Sequence, residues 1–359
     1  MIEQLISPRQ QTCPAPGVVF YDFGRHAFGR LQLEIDSAEA QTIQVAVGEV
    51  CRGGRIEQNP GGSRIYQEQT LDIQPGRNLY QMTMTHPGYC AGTLKVEPEI
   101  APFRDAEVRG CSGKIQVCQQ AVFEPFRDDA ADFSSSDEVL NQVWDLCKYT
   151  MKATNVFGIF VDGNRERQAY EGDAYINQLG YFCCDDHYEI ARKTIERLFD
   201  YPTWPTEWAL SMPLLAQDYL LYSGDLESVR KWYPALKPKV LLELAGENGL
   251  ISLQNLKDGY RFPGFPAGAT MRDLIDWPQS ERDGYEFGNY NLVPNCWHFE
   301  ALKRMSELAS ILGKAEDADF YRKRAALVRA AINTQMLKKG RYVDHPESSH
   351  TALHSLIFP

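Results

Sequence analysis

No two of the nine cysteines form a Cys-x-x-Cys pair, so neither a zinc ribbon nor a thioredoxin-type motif is supported. Their number is odd and their spacing irregular, from Cys13 to Cys296. That fits reduced, mostly buried thiols in a reducing compartment better than a disulfide framework. No run of about 18 apolar residues occurs, which excludes an obvious membrane-spanning helix. The opening Met-Ile-Glu-Gln-Leu-Ile-Ser-Pro lacks a basic region and a long apolar region, so no secretory signal is read and a cytoplasmic location is expected. Positive charge is in deficit: the net charge of −11 argues against nucleic acid or an anionic membrane as the main partner. Phosphate-binding glycine loops and a Gly-x-Ser-x-Gly elbow are also missing. His350 and His354 have i, i+4 spacing but no zincin pattern, so neither a metal nor another cofactor is expected.

What is present is ordinary globular material: 43% apolar and 24% charged residues over 359 positions, enough for two or three domains. Residues 1–130 read as β. Val18–Phe23, Arg30–Ile35, Thr42–Val47, Gln69–Ile73, Tyr80–Met84 and Gly92–Val96 are short strand candidates, separated by glycine-rich turns. Such a pattern predicts an antiparallel β-sandwich of the jelly-roll kind. The character changes near Phe133. Ser135 stands three residues before Glu138, a capping box, and Val139, Leu140, Val143, Trp144, Cys147 and Met151 follow at helical spacing. Helices are expected near 136–154, 173–183, 186–200, 207–222, 226–245, 295–313 and 316–337, with Pro-, Gly- and Trp-rich loops at 201–206 and 261–294. Helix pairs after an all-β domain predict a partial (α/α)6 toroid over 131–359. The chain ends on the apolar Leu356-Ile357-Phe358-Pro359, and the expectation is a fragment of a longer protein.

The most charged stretch lies between two apolar ones. Residues 162–173 read Asp-Gly-Asn-Arg-Glu-Arg-Gln-Ala-Tyr-Glu-Gly-Asp. Carboxylates beside arginines and an aromatic are what a glycosidase needs to hold a sugar and protonate its leaving oxygen. A simpler reading exists for each residue: Asp173 near a helix N-cap, and Glu166 in an ion pair with Arg165 or Arg167. A general acid must carry a proton at working pH. An apolar wall or a second carboxylate favours that, and a close arginine opposes it, so the directions of Arg165 and Arg167 decide.

The segment resembles the signature of the α-L-rhamnosidases, glycoside hydrolase family 78. The matching positions are Asp162, Arg165-Glu166-Arg167, Tyr170 and Gly172-Asp173. Tyr21-Asp22-Phe23-Gly24-Arg25 and Val47-Gly48-Glu49-Val50 resemble strands of the family's β-sandwich. Trp208-Ala209-Leu210 running to Tyr222-Ser223-Gly224-Asp225, Asp276-Trp277 and His350-Thr351-Ala352-Leu353 resemble parts of its barrel. The resemblance implies removal of terminal α-L-rhamnosyl residues by an inverting single displacement. It implies Glu166 as general acid, with Asp162, Arg165, Tyr170, Asp173, Trp208, Asp276 and Trp277 around the sugar. By the same resemblance the general base lies beyond Pro359; Glu207, Glu281 and Glu286 are the alternatives within the chain. Asn164 and Tyr170 depart from the family's usual Pro and Trp, which leaves the choice of sugar open.

Three other readings stand beside this one. They are a toroidal hydrolase of another sugar, a non-catalytic carbohydrate-binding protein, and an assembly domain whose acids and arginines neutralise each other. Trp204, Trp208, Trp277 and Tyr285 lie in or beside loops, where they would either stack on sugar faces or pack in the core.

Overall fold

A computed structural model describes residues 1–89, 92–256 and 270–359. The chain forms two compact units, Met1–Gln168 with Cys183–Ile190, and Ala169–Phe182 with Ala191–Pro359.

The first unit is built on strands β1 (Ile2–Ile6), β2 (Gln10–Ala15), β3 (Val18–Ser37), β4 (Gln41–Gly48), β5 (Cys51–Arg52), β6 (Arg55–Ile56), β7 (Tyr66–Ile73), β8 (Gly76–Gln81), β9 (Ala101–Arg109) and β10 (Lys114–Phe123). The two expected strands at Val18 and Arg30 are one long strand. Its first part pairs antiparallel with β2 and β9, and its last part lies between β8 and β10. The β3–β9 register shifts between Asp22 and Ala27, where Gly24 takes φ of 85°. That bulge bends the strand between the part paired with β2 and the part paired with β8 and β10. Leu31, Leu33 and Ile35 alternate inward and meet Val45 and Val47 of β4 and Phe103 and Val108 of β9 in a single core.

Two expected strands need correction. Past Gln81 the ladder stops, although Met82 and Met84 still fill the core and the Met82 N–H donates to Leu31 O at 2.8 Å. Gly92–Val96 is not a strand: Gly92 has φ of 90°, and the Leu94 N–H donates to Arg167 O rather than to a ladder. The thiols also differ from expectation. Of the described cysteines only Cys184 and Cys296 are buried, while Cys13, Cys147 and Cys183 are exposed on an edge strand, a helix face and a turn; Cys90 lies outside the described residues.

Helix α1 (Glu138–Thr154) follows the strands and groups with them. Its cap is Asp137, whose carboxylate accepts from Val139 N at 2.9 Å, not Ser135, which accepts from Asp137 N and donates to Asp137 O. Tyr149 donates to His26 O at 2.7 Å, and Ala153 packs with Ala27, Ala121 and Phe123. Thus the switch from strand to helix near Phe133 is not where the compact units divide.

The second unit contains α2 (Glu171–Phe182), α3 (Glu189–Asp200, of which residues 191–200 belong here), α4 (Thr206–Ser223), α5 (Leu226–Leu236), α6 (Leu292–Ile311), α7 (Ala315–Gln335) and α8 (Leu353–Ile357). Helix α4 packs on α2 and α6, and α6 packs on α7 and α8. Apart from Trp208, α4 is buried from Thr206 to Leu220, as an inner helix must be; α7 buries one stripe only, as an outer one does. This two-row stacking is that of a partial (α/α)6 toroid. The expected helix 226–245 ends at Leu236, because Pro238 disfavours helix at the residue before it; 3-10 turns at Lys237–Val240 and Leu242–Leu244 follow. Helix α6 begins earlier than expected, since Pro294 is tolerated in a first turn. Residues 261–269 of the expected loop lie outside the described residues. No described helix is long and apolar enough to cross a membrane.

Candidate active site

The charged dodecapeptide starts as a closed loop in the first unit. Asp162 N donates to Gln168 O at 2.8 Å, and Arg167 N donates to Asp162 O at 3.1 Å, which leaves Arg165 and Glu166 at the tip. Arg167 takes φ of 48°, an uncommon conformation for a side chain of its size. Its surroundings compensate. The guanidinium is fully buried and donates to Glu99 at 2.5 Å, to Ile100 O at 2.7 Å and to Asn164 Oδ1 at 2.8 Å, with its carbon 5.1 Å from the centre of the Phe157 ring. Arg167 therefore anchors the loop from below.

Arg165 behaves differently. It is largely exposed and ion-pairs with Glu166. Glu166 is half-buried. The Asp162 and Glu166 carboxyls lie close enough to act on one another. Burial, and then the charge of Glu166, hold the Asp162 carboxyl above the usual range, while Arg165 pulls it down. The loop thus sets two interacting carboxyls beside a solvated arginine.

In the second unit the remaining expected residues gather at the starts of helices. Asp173 sits in the first turn of α2, three residues past the N-cap position, because the helix already begins at Glu171. Glu171 is completely buried and accepts from Thr203 N at 3.0 Å and from the Thr203 hydroxyl, which ties α2 to the 201–206 loop. Gly172 permits a close approach: a Cβ there would fall 2.6 Å from Trp208 Nε1. Tyr170 meets Trp208 edge-on at 5.4 Å, and Trp204 lies 6.3 Å from Trp208.

The segment 272–277 links the other helix starts. From the first turn of α4 the buried Glu207 carboxylate accepts from Leu274 N at 3.1 Å and Ile275 N at 2.8 Å. Ile275 has φ of 65°, a strained value for a β-branched residue, and Glu207 holds it there. Asp273 accepts from Asn291, the residue before α6, at 2.7 Å. Asp276 Oδ2 meets His354 of α8 at 2.7 Å, and Asp276 Oδ1 accepts from Trp277 N at 2.7 Å. Burial raises both the Glu207 and Asp273 carboxyls, and Asp273 raises Glu207 further. Trp277 is 69% exposed, which removes the core-packing reading for it. Tyr285 takes that reading instead: it is buried, donates to Asp344 O at 2.7 Å and accepts from Leu292 N at 2.9 Å.

The structure therefore brings Asp162, Arg165 and Glu166 together in one unit, and Tyr170, Trp208, Asp276 and Trp277 to linked helix starts in the other. Of the alternative bases, Glu207 is committed to backbone N–H groups, Glu281 accepts from Ser280 at 3.0 Å on an exposed turn, and Glu286 accepts from Ser348. His350 and His354 contact different acids, Asp344 and Asp276, and share no ligand position. Sequence reasoning missed Glu99 as the partner of Arg167, since 68 residues separate them and no periodicity links them.

A family model, the bacterial alpha-L-rhamnosidase 6 hairpin glycosidase domain, matches residues 128–358. No curated protein matches the chain. Among solved structures, a family 78 rhamnosidase of Bacillus sp. GL1 is similar at 21% identity and a TM-score of 0.69, over 92% of this chain and 33% of that one. The α-L-rhamnosidase of Dictyoglumus thermophilum gives 19% and 0.69, over 94% and 37%. A rhamnosidase from Klebsiella oxytoca with rhamnose bound gives 17% and 0.64, over 98% and 67%. The chain thus spans about a third of the length of the first and two thirds of the last. At these identities the likeness carries the fold.

Proposed function

Because the chain belongs to the bacterial α-L-rhamnosidase six-hairpin glycosidase family, we propose that it carries the acid half of a glycoside hydrolase that removes terminal α-L-rhamnosyl residues. The observation that carries the reading is the closed 162–168 loop, which sets Glu166 at its tip and beside Asp162, whose carboxyl burial and the Glu166 charge raise. Glu166 delivers a proton to the leaving glycosidic oxygen, and Asp162 holds a sugar hydroxyl. Arg165, solvated and on the tip, swings from Glu166 to the substrate. Within the second unit taken by itself, Asp173 and Asp276 are carboxylates of the kind that take sugar hydroxyls, and Tyr170, Trp208 and the exposed Trp277 are faces of the kind that stack on a sugar ring.

Single displacement with inversion needs a second carboxylate about 6.5–9.5 Å from the acid, with a water between. Glu207 is unsuited to that work, since its oxygens already accept from Leu274 and Ile275. The solved relatives are longer than this chain, and we place the base after Pro359 in sequence.

A panel of 4-nitrophenyl glycosides tests the reading, together with proton NMR of the first-formed sugar. Release from the α-L-rhamnoside, with β-L-rhamnose appearing first, is expected. Turnover of a different glycoside alone would identify another substrate, and α-L-rhamnose appearing first would overturn inversion.

A further inference from the structure

A concave site lies in the first unit. It is a cleft of about 430 Å³ lined by Gln4, Ser7, Arg9, Arg25, Tyr149 and Lys152, among others. Its charge runs against that of the molecule. In a chain of net charge −11, the lining holds the cations Arg9, Arg25, Lys148 and Lys152 against the carboxylates Asp128 and Asp145. Two of those cations are already used. Lys152 pairs with Asp128 at 2.7 Å, and Lys148 donates to Asp128 O at 2.5 Å and to Ala131 O at 2.7 Å. Arg9 and Arg25 form no ion pair with any described residue.

The bulge in β3 sets both guanidiniums. A Cβ on Gly24 would fall 2.4 Å from Arg9 Cδ, so the glycine is the floor on which the Arg9 side chain lies. Gly24 N donates to Asp22 Oδ1 at 2.6 Å, which fixes the turn that presents Arg25. Arg25 then rests 4.7 Å from the centre of the Tyr149 ring. Burial raises the Tyr149 phenol, and the charges of Arg25 and Arg9 oppose that rise. Two guanidiniums without ion pairs lining one cleft suit a carboxylate, and Gln4 and Ser7 add neutral partners suited to hydroxyls.

We propose that this cleft is a carbohydrate site separate from the Glu166 loop, and that it seats an acidic sugar residue whose carboxylate lies between Arg9 and Arg25. The choice of a sugar rests on the hydrolase reading; the anion seat does not. The occupant would be a uronic acid on the same glycan, held while a neighbouring terminal sugar is cleaved.

Isothermal titration of the purified protein with sodium glucuronate, methyl glucoside and sulfate, at constant ionic strength, tests it. Glucuronate should bind at least about tenfold more tightly than either of the others, as expected for charge-assisted hydrogen bonds that a neutral sugar lacks. The double variant Arg9→Gln/Arg25→Gln should lose at least about tenfold in glucuronate affinity. Both side chains are exposed, so its melting temperature should stay close to that of the parent. Glu166→Gln should bind glucuronate unchanged, which separates this seat from the proposed catalytic one. Equal binding of methyl glucoside, or unchanged affinity in the double variant, would overturn the proposal. Sulfate binding as tightly as glucuronate would reduce the cleft to a simple anion site and overturn it as a sugar seat.

Discussion

Arg165 and Arg167 are both next to Glu166 in sequence, and only one of them faces it. Arg167 turns away into a buried cage of Glu99, Ile100 O and Asn164, while Arg165 stays in solvent and pairs with Glu166. The sequence-level question of where these arginines point therefore has a divided answer. A solvated guanidinium is screened and can be displaced by substrate; a buried one would have fixed Glu166 as an anion. Arg167 is a positioning residue, and its replacement should act through the loop. Arg167→Met leaves the Glu99 carboxylate and Ile100 O without their partner and should cost about 3 kcal/mol. Denaturant unfolding measures that cost, and an effect under about 1 kcal/mol would show that the cage does not hold the loop. Neither the cage nor the closeness of Asp162 to Glu166 was legible from residue types, because both depend on how a tight loop closes.

Helix starts, rather than helix bodies, organise the second unit. Glu207 and Asp273 join α4, the 272–277 segment and α6 through backbone and amide contacts. Their pKa shifts give a testable sign. Each carboxyl is raised in the folded state, so the folded chain holds protons that the unfolded chain releases above about pH 4. Stability from this pair is therefore greatest in acid and falls as pH rises from about 4 toward the raised values. Glu207→Gln keeps an oxygen for the Leu274 and Ile275 N–H groups and removes one charge. Its melting temperature relative to the parent should rise between pH 4 and pH 8; a constant difference would mean the pair does not titrate in that window. The helices themselves were legible from apolar spacing, and their ends were misplaced where local chemistry intervened. Asp137 displaced Ser135 as a cap, Pro238 cut α5 short, and α2 began before Gly172 because Glu171 is drawn inward by Thr203.

At the scale of the whole molecule, composition indicated a strand-rich part followed by a helical one, and that order is what the structure contains. Alternation in β3, β4 and β9 made the sandwich legible, since every second residue falls into one core. The long bent β3 was not, because nothing in a two-residue period distinguishes one strand with a bulge from two strands with a turn. The division into compact units was equally hidden, since α1 reads as the first helix of the toroid and packs with the strands. The family's match over residues 128–358 takes in the 162–168 loop, where we propose Glu166 as the proton donor. The most direct measurement compares Glu166→Gln with the parent on two rhamnosides, one with a dinitrophenol leaving group and one with an alkyl alcohol. A leaving group that departs without a proton hides the loss of a general acid, and one that needs a proton exposes it. The account predicts a loss of about 10²–10⁴-fold on the alkyl rhamnoside and about tenfold or less on the dinitrophenyl one. Equal losses on both, or none on either, would contradict it.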